Sequence, residues 1–186
     1  MPFDTSILNY LGDMRTPGLN SFMSFITNFG ATAAVIFLTV IFGAFFIWRR
    51  KYDYSFLLIA AVGGAEAVGI IIKHLAKRIR PEVISHLTAA DGFSFPSGHA
   101  LNTLVFYGML MYIVSREVKS QHWKRIIFIL LSVLIALVGI SRVYLGVHWP
   151  TDVIGSLVIG AICLIILIKA YENEKLINFI KNKISK

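Results

Sequence analysis

Ser141-Arg142-Val143-Tyr144-Leu145-Gly146-Val147-His148-Trp149-Pro150-Thr151-Asp152 joins two long apolar runs, near residues 125–141 and 151–170. An Arg, a His and an Asp in one short link need a physical reason in so apolar a chain. At a span centre an Arg or Asp costs about 2.5–3.5 kcal/mol, so such residues collect at span ends or line a polar cavity. Pro150 suits the first turn of a new helix and places Asp152 about one turn beyond His148. That spacing lets a carboxylate orient an imidazole.

Working outward, further apolar runs lie near 21–48, 54–79 and 98–115. Each of the five approaches the roughly 20 residues that a helix needs to cross about 30 Å of hydrocarbon. Of the 186 residues, 56% are hydrophobic and only 15% charged, well below the soluble average of about 25%. The expected fold is all-α: a polytopic transmembrane helical bundle of about five spans forming a single domain over residues 1–186. Residues 21–170 form the bundle and 171–186 a basic cytoplasmic tail. Small residues at packing spacing allow close helix contact, with Ala60, Gly64, Ala65 and Gly69 in the second run and Ser156 and Gly160 in the fifth. Cys163 is the single cysteine, sits in an apolar run and is expected to pack there.

Residues 1–20 lack the basic start and apolar core of a cleaved signal peptide. Phe3, Ile7, Leu8, Leu11 and Met14 recur at helical spacing, which suggests a short amphipathic helix ended by Pro17-Gly18. It either lies in the membrane interface or packs on the bundle. The net charge of +8 is not a nucleic-acid signal, because the basic residues form short clusters beside apolar runs instead of one stripe. Arg49, Arg50 and Lys51 follow the first run, Arg116, Lys119, Lys124 and Arg125 follow the third, and Lys175, Lys181, Lys183 and Lys186 follow the fifth. The positive-inside rule sends all three clusters to the cytoplasm, and the loop at 80–97 and the link at 142–150 to the outer face of the cell membrane.

The outer-face stretches hold the chemistry. The second run ends with Lys73 and Arg80, seven apart and so on one helical face if the helix continues that far, where two cations make an anion site. Lys77 and Arg78 are expected to be snorkelling charges that end the span. The third run opens at Pro96-Ser97-Gly98-His99, where free backbone N–H groups and the positive helix end favour an anion. Gly98 lets the anion approach, Ser97 adds a hydroxyl and His99 adds a titratable group. Together Lys73, Arg80, Arg142, Ser97, Gly98, His99, His148 and Asp152 fit phosphoryl transfer, which needs neutralised phosphate oxygens, an in-line nucleophile and an acid opposite it. No cofactor and no metal are expected, since the site offers cations where a metal site would cluster carboxylates.

At this point Lys-x6-Arg-Pro, Pro-Ser-Gly-His and Ser-Arg-x5-His-x3-Asp resemble the three signature motifs of the type 2 phosphatidic acid phosphatase superfamily. These membrane lipid phosphatases are in turn similar in their site to vanadium haloperoxidases. Each fixed position matches by chance on the order of one time in twenty, so eleven ordered matches are not background. The resemblance covers about residues 20–170, and the short amino terminus is similar to that of smaller bacterial prenyl-diphosphate phosphatases. It implies that His148 is the nucleophile and forms a phosphohistidine, that Asp152 orients it, and that His99 protonates the leaving group and later activates water. Lys73, Arg80, Ser97, Gly98 and Arg142 would hold the phosphate. The implied partners are the bilayer and a membrane lipid phosphate: undecaprenyl diphosphate first, then phosphatidylglycerol phosphate, then phosphatidic acid.

Other residues are read more plainly. Glu66, two turns before Lys73, is expected either to pair with it, the favoured reading, or to be satisfied by a polar neighbour. His74, His86 and His122 are expected to be interfacial or solvated, and Phe93, Phe95, Tyr144 and Trp149 to form an aromatic belt, the first reading, or to line a lipid entry. A transporter would use Glu66 and Lys73 as an ion path, but the runs show no inverted repeat and the charge collects at one face. An inactive scaffold would have lost His99, His148 or Asp152.

Overall fold

A computed structural model describes residues 2–173. Within them the chain forms α1 (Pro2–Asp13), α2 (Pro17–Thr27), a 3-10 turn (Asn28–Gly30), α3 (Thr32–Trp48), α4 (Tyr52–Ala76), α5 (Gly98–Glu117), α6 (Gln121–Tyr144) and α7 (Pro150–Glu172). Among the described residues there is no strand, as expected. Helices α4, α6 and α7 are each long and apolar enough to cross a membrane. The first apolar run differs from its reading as one straight span, because α2 and α3 meet at a bend of 50°. The break falls at Ala31, which is extended (φ −63°, ψ 136°) between the turn and α3, and Gly30 just before it packs tightly: a Cβ there would lie 2.4 Å from Thr103 Oγ1, 2.6 Å from Val138 Cγ1 and 3.0 Å from the His99 carbonyl. Only a residue without a side chain lets the turn approach α5 and α6 this closely.

Helix α5 lies at the centre, packed against α3, α4, α6 and α7. Its 20 residues carry the buried Asn102 and Thr103 beside Leu101, Val105, Phe106 and Met109. A helix ringed by other helices need not meet the lipid's demand for apolar surface, so α5 is less apolar than the spans around it. The outer helices instead present Phe37, Ile59, Ile71, Ile129 and Ile166 outward.

One end of the bundle gathers the basic loops. Lys51 pairs with Glu117, which also accepts from Tyr54 Oη at 2.9 Å, and Arg116 pairs with Glu172. These contacts put the links after α3 and α5 and the end of α7 together, as the charge pattern expects. Lys175, Lys181, Lys183 and Lys186 lie outside the described residues.

At the opposite end α1 docks on the bundle. Leu8 has no solvent exposure and packs with Ala100, Val143 and Val153, while Phe3 and Tyr10 stay exposed. The helix ends at Asp13, earlier than the sequence suggests, because Pro17 opens α2 instead of closing α1, with the Thr16 hydroxyl accepting the Leu19 N–H. Gly30→Ala is expected to lower stability by about 1–3 kcal/mol through forced contact with Thr103 and Val138. Thermal unfolding of the detergent-purified protein checks this.

Candidate active site

The site forms where α5, α6 and α7 present the ends remote from the basic loops and the 77–97 loop folds over them. Helix α4 stops at Ala76, and Lys77 takes a left-handed conformation (φ 46°) with its N–H bonded to the Lys73 carbonyl. The expected two-turn alignment of Lys73 and Arg80 on one helix is therefore wrong. Arg80 reaches the site from the loop, held by the carbonyls of Val147 (2.7 Å), Asp91 (2.7 Å) and Gly92 (3.1 Å). Burial pulls its guanidinium below the ordinary arginine range, partly offset by Asp152 and Asp91. Lys73 remains on α4, half-buried and in electrostatic range of Arg80, Glu66, Asp152 and Arg142.

Arg142, in the last turn of α6, is buried and donates from Nη1 to Thr27 Oγ1 at 2.8 Å. Its Nε has no protein partner. Ser97 caps α5 without using its hydroxyl for the cap: the Oγ is buried and unpartnered, while its N–H donates to Ser156 Oγ at 2.7 Å. Ser156 donates in turn to the Asp152 carbonyl at 2.6 Å, tying the start of α5 to the start of α7. Ser156, read from sequence as a packing residue, is therefore a polar link. Beside Ser97, Gly98 opens α5, and a Cβ at that position meets no protein atom within 4 Å. Buried donors without partners, beside an open helix N-terminus, are the makings of an anion site.

The two histidines differ. His148 is 3% exposed, in a link turned by Gly146 at φ 82°, where a Cβ would sit 2.9 Å from the Ser85 carbonyl. Its Nε2 faces Arg80 Nη1 at 3.4 Å and its Nδ1 faces Asp152 Oδ2 at 3.6 Å. Guanidinium only donates, so Nε2 presents its lone pair and Nδ1 carries the proton toward the carboxylate. The 3.6 Å separation is outside hydrogen-bond range, so Asp152 acts here as an oriented charge. Burial pulls the imidazole down to about 4, against the raising effect of Asp152 and with help from Arg142 and Arg80. It is therefore neutral at ordinary pH. His99, second residue of α5, lies in electrostatic range of Arg142, His148, Lys73 and Arg80. All eight expected residues thus meet at one end of the bundle.

Three expectations fail. Arg78 is not a snorkelling end-charge: it pairs with both Asp152 (2.6 Å) and Asp4 (2.8 Å). Glu66 does not make the favoured pair with Lys73 and follows the other reading, a polar neighbour, accepting from Nδ2 of Asn102, which lies one helical turn beyond His99, at 2.9 Å. Tyr144 and Trp149 are not belt residues. Tyr144 is 1% exposed and donates to Asn20 Oδ1, and Trp149 lies under the Arg78 guanidinium and donates to the Ile79 carbonyl. His74, His86 and His122 are exposed as expected. Asp4 was legible in principle: it shares a helical face with Leu8 and Leu11, where an acid is out of place. Arg78 had no such signal, because the turn at Lys77 that aims it is not written in residue spacing.

Comparison with known proteins gives the family. The PAP2 superfamily model matches residues 54–176, and the chain belongs to that superfamily. It is thus a membrane enzyme of a family that hydrolyses lipid phosphates. The chain is 37% identical to phosphatidylglycerophosphatase B of Bacillus subtilis over 164 residues, covering 87% of this chain and 79% of that protein. It is 28% identical to an undecaprenyl-diphosphatase of Sulfolobus acidocaldarius, covering 86% and 74%. The crystal structure of a transmembrane PAP2-type phosphatidylglycerolphosphate phosphatase from Bacillus subtilis superposes with TM-score 0.86 at 32% identity, covering 93% of this chain and 86% of that one.

Because the His148 imidazole is already neutral, raising the pH cannot restore what a lost orienting charge removes. In Asp152→Asn, phosphate release is expected to fall by about 10²- to 10⁴-fold and to stay low between pH 6 and 8. Initial rates across that range check it.

Proposed function

We propose that this enzyme removes a phosphate from a lipid phosphate or diphosphate at the extracytoplasmic face of the cell membrane, through a phosphohistidine on His148 and without a metal. The observation that carries the reading is the two-sided environment of His148, with a donor-only guanidinium at Nε2 and a buried carboxylate at Nδ1. Nε2 attacks phosphorus and the bond to the leaving oxygen breaks. His99, in its protonated form, gives that oxygen its proton and is left neutral. His99 then takes a proton from water, whose oxygen attacks phosphorus as the N–P bond breaks, releasing phosphate and neutral His148. Lys73, Arg80, Arg142, the Ser97 hydroxyl and the Gly98 approach hold the phosphate oxygens, and their fixed positive charge takes the place of a metal's.

Charge supports this face: the site lies at the end opposite the basic loops after α3 and α5. Identity supports phosphatidylglycerol phosphate as the first substrate to test, ahead of the sequence's first expectation, with undecaprenyl diphosphate next. No motif residue reads the lipid tail, so the site selects by the phosphate headgroup that these substrates share.

With β-³²P-labelled farnesyl diphosphate, whose phosphate leaving group departs without an acid, acid-labile, alkali-stable phosphoenzyme should accumulate in His99→Ala and be absent in His148→Ala, while ³²P-labelled phosphatidylglycerol phosphate, with an alkoxide to expel, should give little in either. Phosphoenzyme in His148→Ala would overturn the assignment. For topology, cysteine at Ser85 in a Cys163→Ala background should react with an impermeant thiol reagent on intact cells. Labelling only after the membrane is opened would place the chemistry in the cytoplasm.

A further inference from the structure

The amino-terminal helix reaches the site through a closed polar ring. Arg78 Nη1 donates to Asp152 Oδ1 at 2.6 Å and to Thr151 Oγ1 at 2.7 Å, while Nη2 donates to Asp4 Oδ2 at 2.8 Å. Asp4 also accepts from the Thr151 N–H (3.0 Å) and hydroxyl (2.8 Å), so it caps the first turn of α7 directly. The guanidinium carbon lies 5.5 Å from the Trp149 ring centre, and the Arg78 carbonyl accepts from the Ser94 N–H at 2.7 Å. Both carboxylates have no solvent exposure. One cation therefore neutralises two buried anions, an arrangement that a planar fork can satisfy and a point-like ammonium cannot.

We propose that Arg78, clamped by Asp4 of the docked amino-terminal helix, is a positioning residue that fixes the plane of the Asp152 carboxylate and through it the orientation of His148. The inference rests on the reading of His148 as nucleophile. Its geometric basis is a division of labour between the two Asp152 oxygens. Oδ1 is held by Arg78, while Oδ2 accepts the Trp149 N–H at 2.9 Å and faces His148 Nδ1. Once Oδ1 is fixed, the carboxylate cannot rotate Oδ2 away from the ring. Asp4 holds the other arm of the fork, and its carboxyl is set accordingly: burial raises it, but the Thr151 hydroxyl and amide and Arg78 outweigh burial and keep it below the ordinary carboxylate value. The burial of Leu8 against Ala100, Val143 and Val153 seats the helix that carries Asp4. These three are chain neighbours of His99, Arg142 and Asp152, so docking of α1 is registered against the site itself.

The test is a mutant cycle in the full chain, read as the rate of phosphohistidine formation by acid quench with whichever of the two labelled probes the wild type turns over. Arg78→Lys and Asp4→Asn should each slow formation by about 10- to 100-fold, the range for partners that orient a reacting ligand, with KM changed by less than about twofold. Placed in an Asp152→Asn background, the same changes should cost less than about threefold more, because the carboxylate they position is gone. A full, additive loss in that background would overturn the proposal, as would normal rates in both single variants. Should Arg78→Lys fail to fold by gel filtration, Asp4→Asn and Thr151→Val decide the matter by the same criteria. If the wild type forms no phosphohistidine, the nucleophile assignment fails first and takes the inference with it. Phosphohistidine at unchanged rates in the variants would sink the inference alone.

Discussion

Asp152 is a carboxylate with no solvent exposure in the first turn of a transmembrane helix, and the surroundings of the site follow from making that tolerable. An isolated buried anion is costly, so each oxygen must be satisfied. The Trp149 N–H and the positive end of α7 serve one oxygen, and Arg78 serves the other. Arg78 must then leave the axis of α4, which the left-handed Lys77 allows, and it brings the 77–97 loop over the site. That loop supplies Arg80, whose guanidinium meets His148. Asp4 completes the charge balance and anchors α1.

The same economy separates the two ends of the bundle. At the basic end, ion pairs such as Lys51 with Glu117 and Arg116 with Glu172 are at least one-third exposed, and pairs of that kind contribute little stability. At the site end, the charges are buried or half-buried and several donors, among them Arg142 Nε and Ser97 Oγ, are left without protein partners. Stability alone does not favour such groups. Anion recognition does.

Much of this was legible in the residues. Apolar runs and loop charges give an all-helical membrane bundle with its chemistry at one end, and the three motifs give all eight residues that the fold gathers. What escaped has a physical reason. The 50° bend between α2 and α3 interrupts a continuous apolar run at Ala31, and the close approach of Gly30 is to Thr103 and Val138, residues far away in sequence. The stop of α4 at Ala76 falls inside a stretch with continuous helical propensity, so Lys73 and Arg80 looked collinear. Arg78 resembles any span-ending cation until Asp4, 74 residues away, is seen beside it. Glu66 found Asn102 instead of Lys73 because α5 runs through the centre and offers an amide at that depth.

The central claim is that His148 reacts through the nitrogen facing Arg80, with the other held toward Asp152. The most direct measurement is ³¹P and ¹⁵N NMR of the phosphoenzyme trapped in His99→Ala with labelled histidine. The account predicts a single phosphohistidine bonded through Nε2 of His148, with Nδ1 protonated. Phosphorus on Nδ1, or on any other residue, would contradict it.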